Sequence, residues 1–209
     1  IMPSLVGSEM CIRDSFFLEH TNYSENLLKT MNMMIEVDVL LIRQIELKYL
    51  TKIKKLYYLL ALETGKSPNV SKLAETIDTS RATVMNYIKY LADARLLNII
   101  YHQGSVFPKK PAMVVVNNPN LIYTVYPRNF GDREILNSFF INQLRKDHTV
   151  NKERATDAYR IDGETSVRIS AEGEGESRAR GKKNYYTASS GLVVGKGRKI
   201  PLWLFGFLY

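Results

Sequence analysis

The sequence predicts an α+β protein: a helical segment, a winged helix-turn-helix, then a small α/β domain. Three observations carry that expectation. Apolar residues recur at helical spacing early in the chain, with Leu27, Leu28, Met31 and Met34 followed by Val37, Leu40, Leu41 and Ile45. A short helix, a tight turn and a longer helix then succeed one another at helix-turn-helix spacing. Beyond them, short strands alternate with polar turns.

The elements follow in order. Phe16 to about Tyr49 reads as mostly helical, with Met31, Met33 and Met34 as core filler. Ile53, Leu56, Tyr57, Leu60 and Ala61 share the face of a helix that Gly65 and Pro68 end. Leu73, Ala74 and Ile77 mark a short second helix, and Asp78-Thr79 make a turn. Ser80 is the expected N-cap of a third helix whose stripe is Val84, Ile88 and Leu91. Leu96 to Tyr101 reads as a strand, Gly104-Ser105 as a turn, and Ala112 to Val116 as the returning strand. Asn117-Asn118-Pro119-Asn120 reads as a loop, and Ile135 to Leu144 as a helix. Glu172 to Lys183, rich in glycine and charge, reads as a long exposed loop. The apolar closing stretch, Ile200 to Tyr209, is expected to dock into the last domain. The expected boundaries are a leader at 1–15, a helical part at 16–50, the winged helix at 51–117 and the α/β domain at 118–209.

Composition narrows the function classes. At 45% hydrophobic and 24% charged, 209 residues can bury a real core. That excludes a disordered tail, a collagen-like repeat and a disulfide scaffold. No apolar run is long enough to span a membrane, so no membrane partner is expected. Lys plus Arg is 29 against 21 for Asp plus Glu, a net charge of +8, which favours acidic partners such as DNA. Cys11 stands alone, and His20, His102 and His148 are scattered, so no metal-ligand spacing exists. A reduced, cytoplasmic compartment is expected.

Residues 1–15 lack both the periodicity of an element and the charge pattern of a signal peptide. They closely resemble translated sequencing-adapter sequence, which makes the natural chain one that begins upstream of Phe16. Removing them takes away Arg13 but also Glu9 and Asp14, so the positive balance survives.

Several motifs bear on chemistry. Gly65-Lys66-Ser67 resembles the end of a phosphate-binding loop, but Leu60 stands where that loop needs its first glycine, and the preceding segment is helical. Gly173, Gly175 and Gly181 miss the dinucleotide spacing. No cofactor is therefore expected in this chain. On the third helix, Arg81, Thr83 and Asn86 lie away from the apolar stripe and can reach base edges. Lys89, with Lys109 and Lys110 in the wing, can neutralise phosphates. The alternative is a winged helix that contacts a protein. Glu134, Asp157, Asp162 and Glu172 are carboxylates near element ends; paired carboxylates can hold Mg²⁺ for phosphodiester cleavage, or simply cap and turn. Arg178 to Lys199 is a basic run without acidic residues, following Glu172, Glu174 and Glu176.

Several stretches together resemble the C-terminal half of predicted AAA+ superfamily ATPases that carry a DUF4143 domain. Phe16-Phe17-Leu18-Glu19 resembles the end of the ATPase lid, and Ile35-Glu36-Val37-Asp38 the helix leading out of it. Lys54-Lys55-Leu56 resembles the opening of the winged helix. Asn117-Asn118-Pro119-Asn120-Leu121-Ile122-Tyr123 resembles the "DNPNLLY" segment. Arg133-Glu134, Phe139-Phe140 and Asn142-Gln143-Leu144 resemble the "RE…FFLNQL" helix, and Ile200-Pro201-Leu202-Trp203 with Phe205-Gly206 the closing strand. The resemblance implies a last domain similar to restriction-endonuclease-like folds, with metal carboxylates at Asp157 and Glu172 and with Glu134 on the preceding helix. The chain departs from the family's "FEVGGK" strand: Ser170-Ala171-Glu172-Gly173-Glu174-Gly175 has no lysine two residues after Glu172. ATP and Mg²⁺ belong to the intact parent that the resemblance implies, which can be oligomeric. This chain's expected role is binding DNA or a protein partner rather than catalysis. A free-standing winged-helix regulator and a metal-dependent nuclease are the rival expectations.

Overall fold

The structure is a computed structural model that describes residues 22–41, 44–125, 131–172 and 184–208. The leader with Cys11, the Phe16 to Glu19 segment, His20 and the glycine-rich stretch 173–183 lie outside the described residues, as do the side chains of Leu40 and Leu41. The fold is mixed α+β, with helices on both faces of a seven-stranded sheet's first hairpin.

Helix α1 (Tyr23–Met34) continues into a π-helical stretch (Ile35–Leu41). Its buried stripe is Leu27, Met31, Met34, Ile35 and Val39. Met33 is 56% exposed, and Leu28 and Val37 are also exposed, so these three are not core. Met33 lies two residues from Met31, on the opposite side of a helix that turns about 100° per residue. A 3₁₀ turn (Leu47–Tyr49) leads into α2 (Leu50–Leu62), whose buried face is Ile53, Leu56, Tyr57, Leu60 and Ala61. Lys54 bridges back to Glu36 at 2.7 Å, tying α2 to the π-helical stretch.

Helix α3 (Val70–Thr76) is capped by Asn69, whose side chain accepts the Lys72 N–H. From α2, Lys55 donates to the Thr76 carbonyl at 2.9 Å, and Lys52 to that of Asp78. Both cations sit at the C-terminal end of α3, where the helix dipole is negative. Helix α4 (Arg81–Asp93) follows after the expected turn.

Strands β1 (Leu97–His102) and β2 (Met113–Val116) form an antiparallel hairpin with Leu97 opposite Val116. Leu97, Val114 and Val116 face the helical core of α1 to α4, whereas Ile100, Met113 and Val115 face a second core. Alternation of side chains along a strand sends neighbours to opposite faces, so a hairpin apolar on both belongs to two cores at once. The outer edge of β2 is covered by the α2–α3 loop. Gly65 donates to the Val114 carbonyl at 2.9 Å, Val114 donates to the Lys66 carbonyl at 3.1 Å, and Val116 donates to the buried Thr64 hydroxyl at 3.0 Å. Gly65 takes φ of 81°, which a glycine adopts without a Cβ clash. Gly65-Lys66 thus spends its backbone on protecting a sheet edge.

The expected loop at 117–120 is in part helix. Pro119 opens α5 (Pro119–Val125), where its missing N–H costs nothing, and the Asn118 side chain accepts the Asn120 N–H at 2.9 Å. Helix α6 (Asp132–Leu144) comes next, then β3 (Val150–Lys152), β4 (Ala158–Ile161), β5 (Thr165–Ser170), β6 (Tyr185–Ser189) and β7 (Lys199–Pro201). The sheet order is β2-β1-β3-β4-β5-β6-β7. One sheet therefore crosses the boundary expected at 117/118, because β1 pairs parallel with β3 through Tyr101 opposite Asn151. Phe140 on α6 centres the second core, edge-on to Phe205 at 4.9 Å and tilted against Tyr159 at 5.7 Å.

The closing stretch docks only in part. A 3₁₀ helix (Leu202–Phe207) buries Leu202 and Phe205, while Trp203, Leu204, Phe207 and Leu208 remain exposed. Three residues per turn brings only every third side chain inward. No helix among the described residues is long and apolar enough to cross a membrane.

Thr64→Val keeps the shape at position 64 but leaves the Val116 N–H unpaired. The expected loss is about 1–3 kcal/mol, read as a lower urea midpoint with an unchanged m-value.

Candidate nucleic-acid interface

Helix α4 is set by its cap and its stripe. The Ser80 hydroxyl accepts the Thr83 N–H at 3.1 Å. Val84, Tyr87, Ile88 and Leu91 are buried, so Tyr87 joins the expected stripe. The opposite face carries exposed Arg81, Ala82, Asn86 and Lys89. Thr83 is different: it is half-buried, and its hydroxyl shares a hydrogen bond with Ser80 Oγ at 2.8 Å. It belongs to the cap and does not stand free on the exposed face.

The connection between β1 and β2 closes over this face. Ala112 donates to the Ile100 carbonyl at 2.9 Å, and Ser67 to that of Pro111 at 3.1 Å, fixing the base of the loop. At its tip, Phe107 precedes a cis proline, Pro108, and Lys89 Nζ lies 4.9 Å from the centre of the Phe107 ring. At an exposed site such a contact is worth only about 0.5–1 kcal/mol, so Lys89 can still be drawn to an anion. A cleft of about 310 Å³ opens between helix and loop, lined by Arg81, Met85, Asn86, Phe107, Pro108 and Lys110 among others. Lys109 and Lys110 are exposed on the same loop. The side chains of Arg81, Asn86, Lys109 and Lys110 make no ion pair or hydrogen bond with the described residues. Of the six expected contact residues, Arg81, Asn86 and Lys110 line one cleft, Lys89 lies over the Phe107 ring, Lys109 is exposed on the same loop, and Thr83 belongs to the cap.

The carboxylates of the last domain are placed differently. Asp157 lies 2.9 Å from Arg133 Nη1 and also binds Lys152, so two cations already satisfy it. Glu134 folds back over the first turn of α6, where a Cβ on Gly131 would come within 2.6 Å of its Oε2. Glu172 covers Gly191, where a Cβ would lie 2.8 Å from its Cγ. Among the described residues no group of three or more His, Cys, Asp or Glu could hold a metal ion. Of the basic run at 178–199, Lys196, Arg198 and Lys199 fall in the described part and are exposed around the turn into β7.

Two polar networks escaped the sequence reading. The nearly buried Glu153 carboxylate accepts from Arg160 Nη2 at 2.8 Å, Ser166 Oγ at 2.6 Å and Thr156 Oγ1 at 2.6 Å. Asn98 donates to Asn117 Oδ1 at 2.9 Å, and Asn142 donates to the Asn117 carbonyl. Both join residues brought together by strand pairing or helix docking, which no local spacing announces.

Asp162 is a turn residue. With Gly163 it takes positive φ, 50° and 75°, in the β4–β5 connection. Its carboxylate accepts from the Thr149 N–H at 2.8 Å, the Thr149 hydroxyl at 3.0 Å and His148 Nδ1 at 2.6 Å. The Thr149 backbone bond, then the His148 contact, holds its pKa below the usual carboxylate value.

A family model described as a domain of unknown function (DUF8612) matches residues 18–111. That stretch runs from α1 to the loop joining β1 and β2, and it stops before β2. No curated protein and no solved structure matches the chain.

The depressed Asp162 pKa stabilises the fold above the carboxylate's unfolded value. That contribution is lost as pH falls through its lower folded value. The stability difference between pH 6 and pH 3 should therefore be smaller in Asp162→Asn than in the wild type, measured by urea titration at each pH.

Proposed function

We propose that the chain supplies a winged helix-turn-helix that binds duplex DNA, with α4 as the recognition helix and the β1–β2 loop as the wing. The supporting observation is the exposed cleft between them, where Arg81, Asn86 and Lys110 have no partner among the described residues. Asn86 has the paired donor and acceptor that read adenine in the major groove. Arg81 lies in the first turn of α4, the end that reaches base edges in helix-turn-helix docking. Lys109 and Lys110 fit the adjoining phosphates, with Lys89 on the rim.

In this reading the module belongs to a larger AAA+ ATPase, as its resemblance to that family implies. ATP and Mg²⁺ act in the parent's motor, and the α/β domain similar to restriction-endonuclease-like folds transmits or receives the motor's work. The engagement of Asp157 by Arg133 and Lys152 favours binding over metal-dependent cleavage as the role of that domain.

Fluorescence anisotropy with a random-sequence duplex tests the proposal. Binding should weaken as salt rises. Lys109→Ala with Lys110→Ala should lower the slope of log K against log salt by about 2, at roughly 0.9 per phosphate contact. Asn86→Ala on a selected duplex should cost about 1–3 kcal/mol and relax base preference. A chain whose DNA affinity ignores all three substitutions does not use this face for DNA.

A further inference from the structure

A second concavity lies behind the wing. It opens between the C-terminal half of α4, the last turn of α6 and strand β1, with a volume of about 500 Å³. That lies within the range of roughly 300–1,000 Å³ usual for small-molecule sites. The Lys89–Phe107 contact separates it from the cleft described above, and both residues border it.

Its walls have an uncommon polarity. Lys89, Arg95, Arg145 and Lys146 line it, against one carboxylate, Asp93. Arg145 is held in place by one hydrogen bond, from Nη1 to the Ile99 carbonyl at 2.8 Å. It has no carboxylate partner among the described residues. The residue is exposed to solvent; packing around its guanidinium lowers its pKa, with Tyr101 acting in the opposite direction. Lys146 is exposed and likewise makes no ion pair with the described residues.

Two residues that line the groove each carry a buried polar atom with no partner: Tyr101 Oη and Gln143 Oε1 make no hydrogen bond among the described residues. Burial pushes the Tyr101 pKa up, so near neutral pH it is a neutral phenol that donates or accepts. The Gln143 oxygen only accepts, and leaving such a group unpaired is unfavourable. The groove thus asks for an anion and for a hydrogen-bond donor on the same ligand.

We propose that this groove binds a small phosphate monoester whose organic part carries hydroxyl or amino donors, the chemistry of a nucleoside or sugar phosphate. Arg145 and Lys146 hold the phosphate, while Gln143 accepts from the ligand and Tyr101 bonds the organic part. Nothing in the chain's local motifs points to this site, because its residues come from α4, β1 and α6. The proposal is independent of DNA binding, since Arg81 and Lys109 do not line the groove.

Isothermal titration of the full chain with the four ribonucleoside 5′-monophosphates, ribose 5-phosphate and inorganic phosphate provides the test. The expected result is saturable 1:1 binding of a nucleoside or sugar phosphate, at least tenfold tighter than inorganic phosphate. Saturation by nucleotides alone assigns recognition to the base, and equal binding of ribose 5-phosphate assigns it to the sugar. Lys146→Glu, on an exposed side chain, should weaken that binding at least tenfold, whereas Arg81→Ala should leave it unchanged. Tyr101→Phe should raise the melting temperature of the free chain, by removing an unpaired buried hydroxyl, and shrink the increase that the ligand produces. No saturable binding, or inorganic phosphate binding as tightly as the esters, overturns the proposal. So does a Tyr101→Phe chain that keeps the full ligand-induced increase.

Discussion

The β1–β2 hairpin is the constraint on which the rest of the molecule depends. Four consecutive apolar residues, Met113 to Val116, are all buried, and alternate members enter different cores. A strand apolar on both faces cannot lie against solvent without exposing one row of side chains. Helices α1 to α4 cover one face, and α6 with the closing 3₁₀ helix covers the second core. The hairpin also propagates the sheet through the pairing of β1 with β3. A change at its centre is therefore felt in both halves.

That coupling places both candidate sites. The cleft between α4 and the loop lies at the hairpin's tip, and the second groove lies along β1 where α4 and α6 converge. Phe107 borders both, and Lys89, which lies over its ring, borders the groove.

Local structure was legible in the sequence wherever one element determined it. The stripe from Ile53 to Ala61, the Ser80 cap, the Asp162-Gly163 turn and the bounds of the β1–β2 hairpin all follow from short-range rules. Errors came where local rules were incomplete. Asn117 to Asn120 reads as a loop, yet proline also starts helices, and Pro119 does so here. Met33 and Trp203 are apolar enough to be expected in the core, but helical phase puts them outside. Among the candidate interface residues, Arg81, Asn86, Lys89, Lys109 and Lys110 are legible as exposed positions because each lies off an apolar stripe or in a turn. Thr83 looked identical by that criterion, but a threonine three residues after an N-cap serine has a nearer partner.

The amino-acid sequence by itself determined the mixed α+β class of the fold, helices α2 to α4 and the β1–β2 hairpin that follows them. Periodicity, caps and turns are local physics, acting over a few residues. Only the tertiary structure decided that the hairpin opens a seven-stranded sheet and that Gly65-Lys66 guards its edge. It alone paired Asp157 with Arg133 and Lys152, and gathered Tyr101, Gln143 and Arg145 around one groove. Each of these joins residues distant in the chain or lying on separate elements. Their encounter depends on how the two cores close on the hairpin, and no spacing along the chain encodes that.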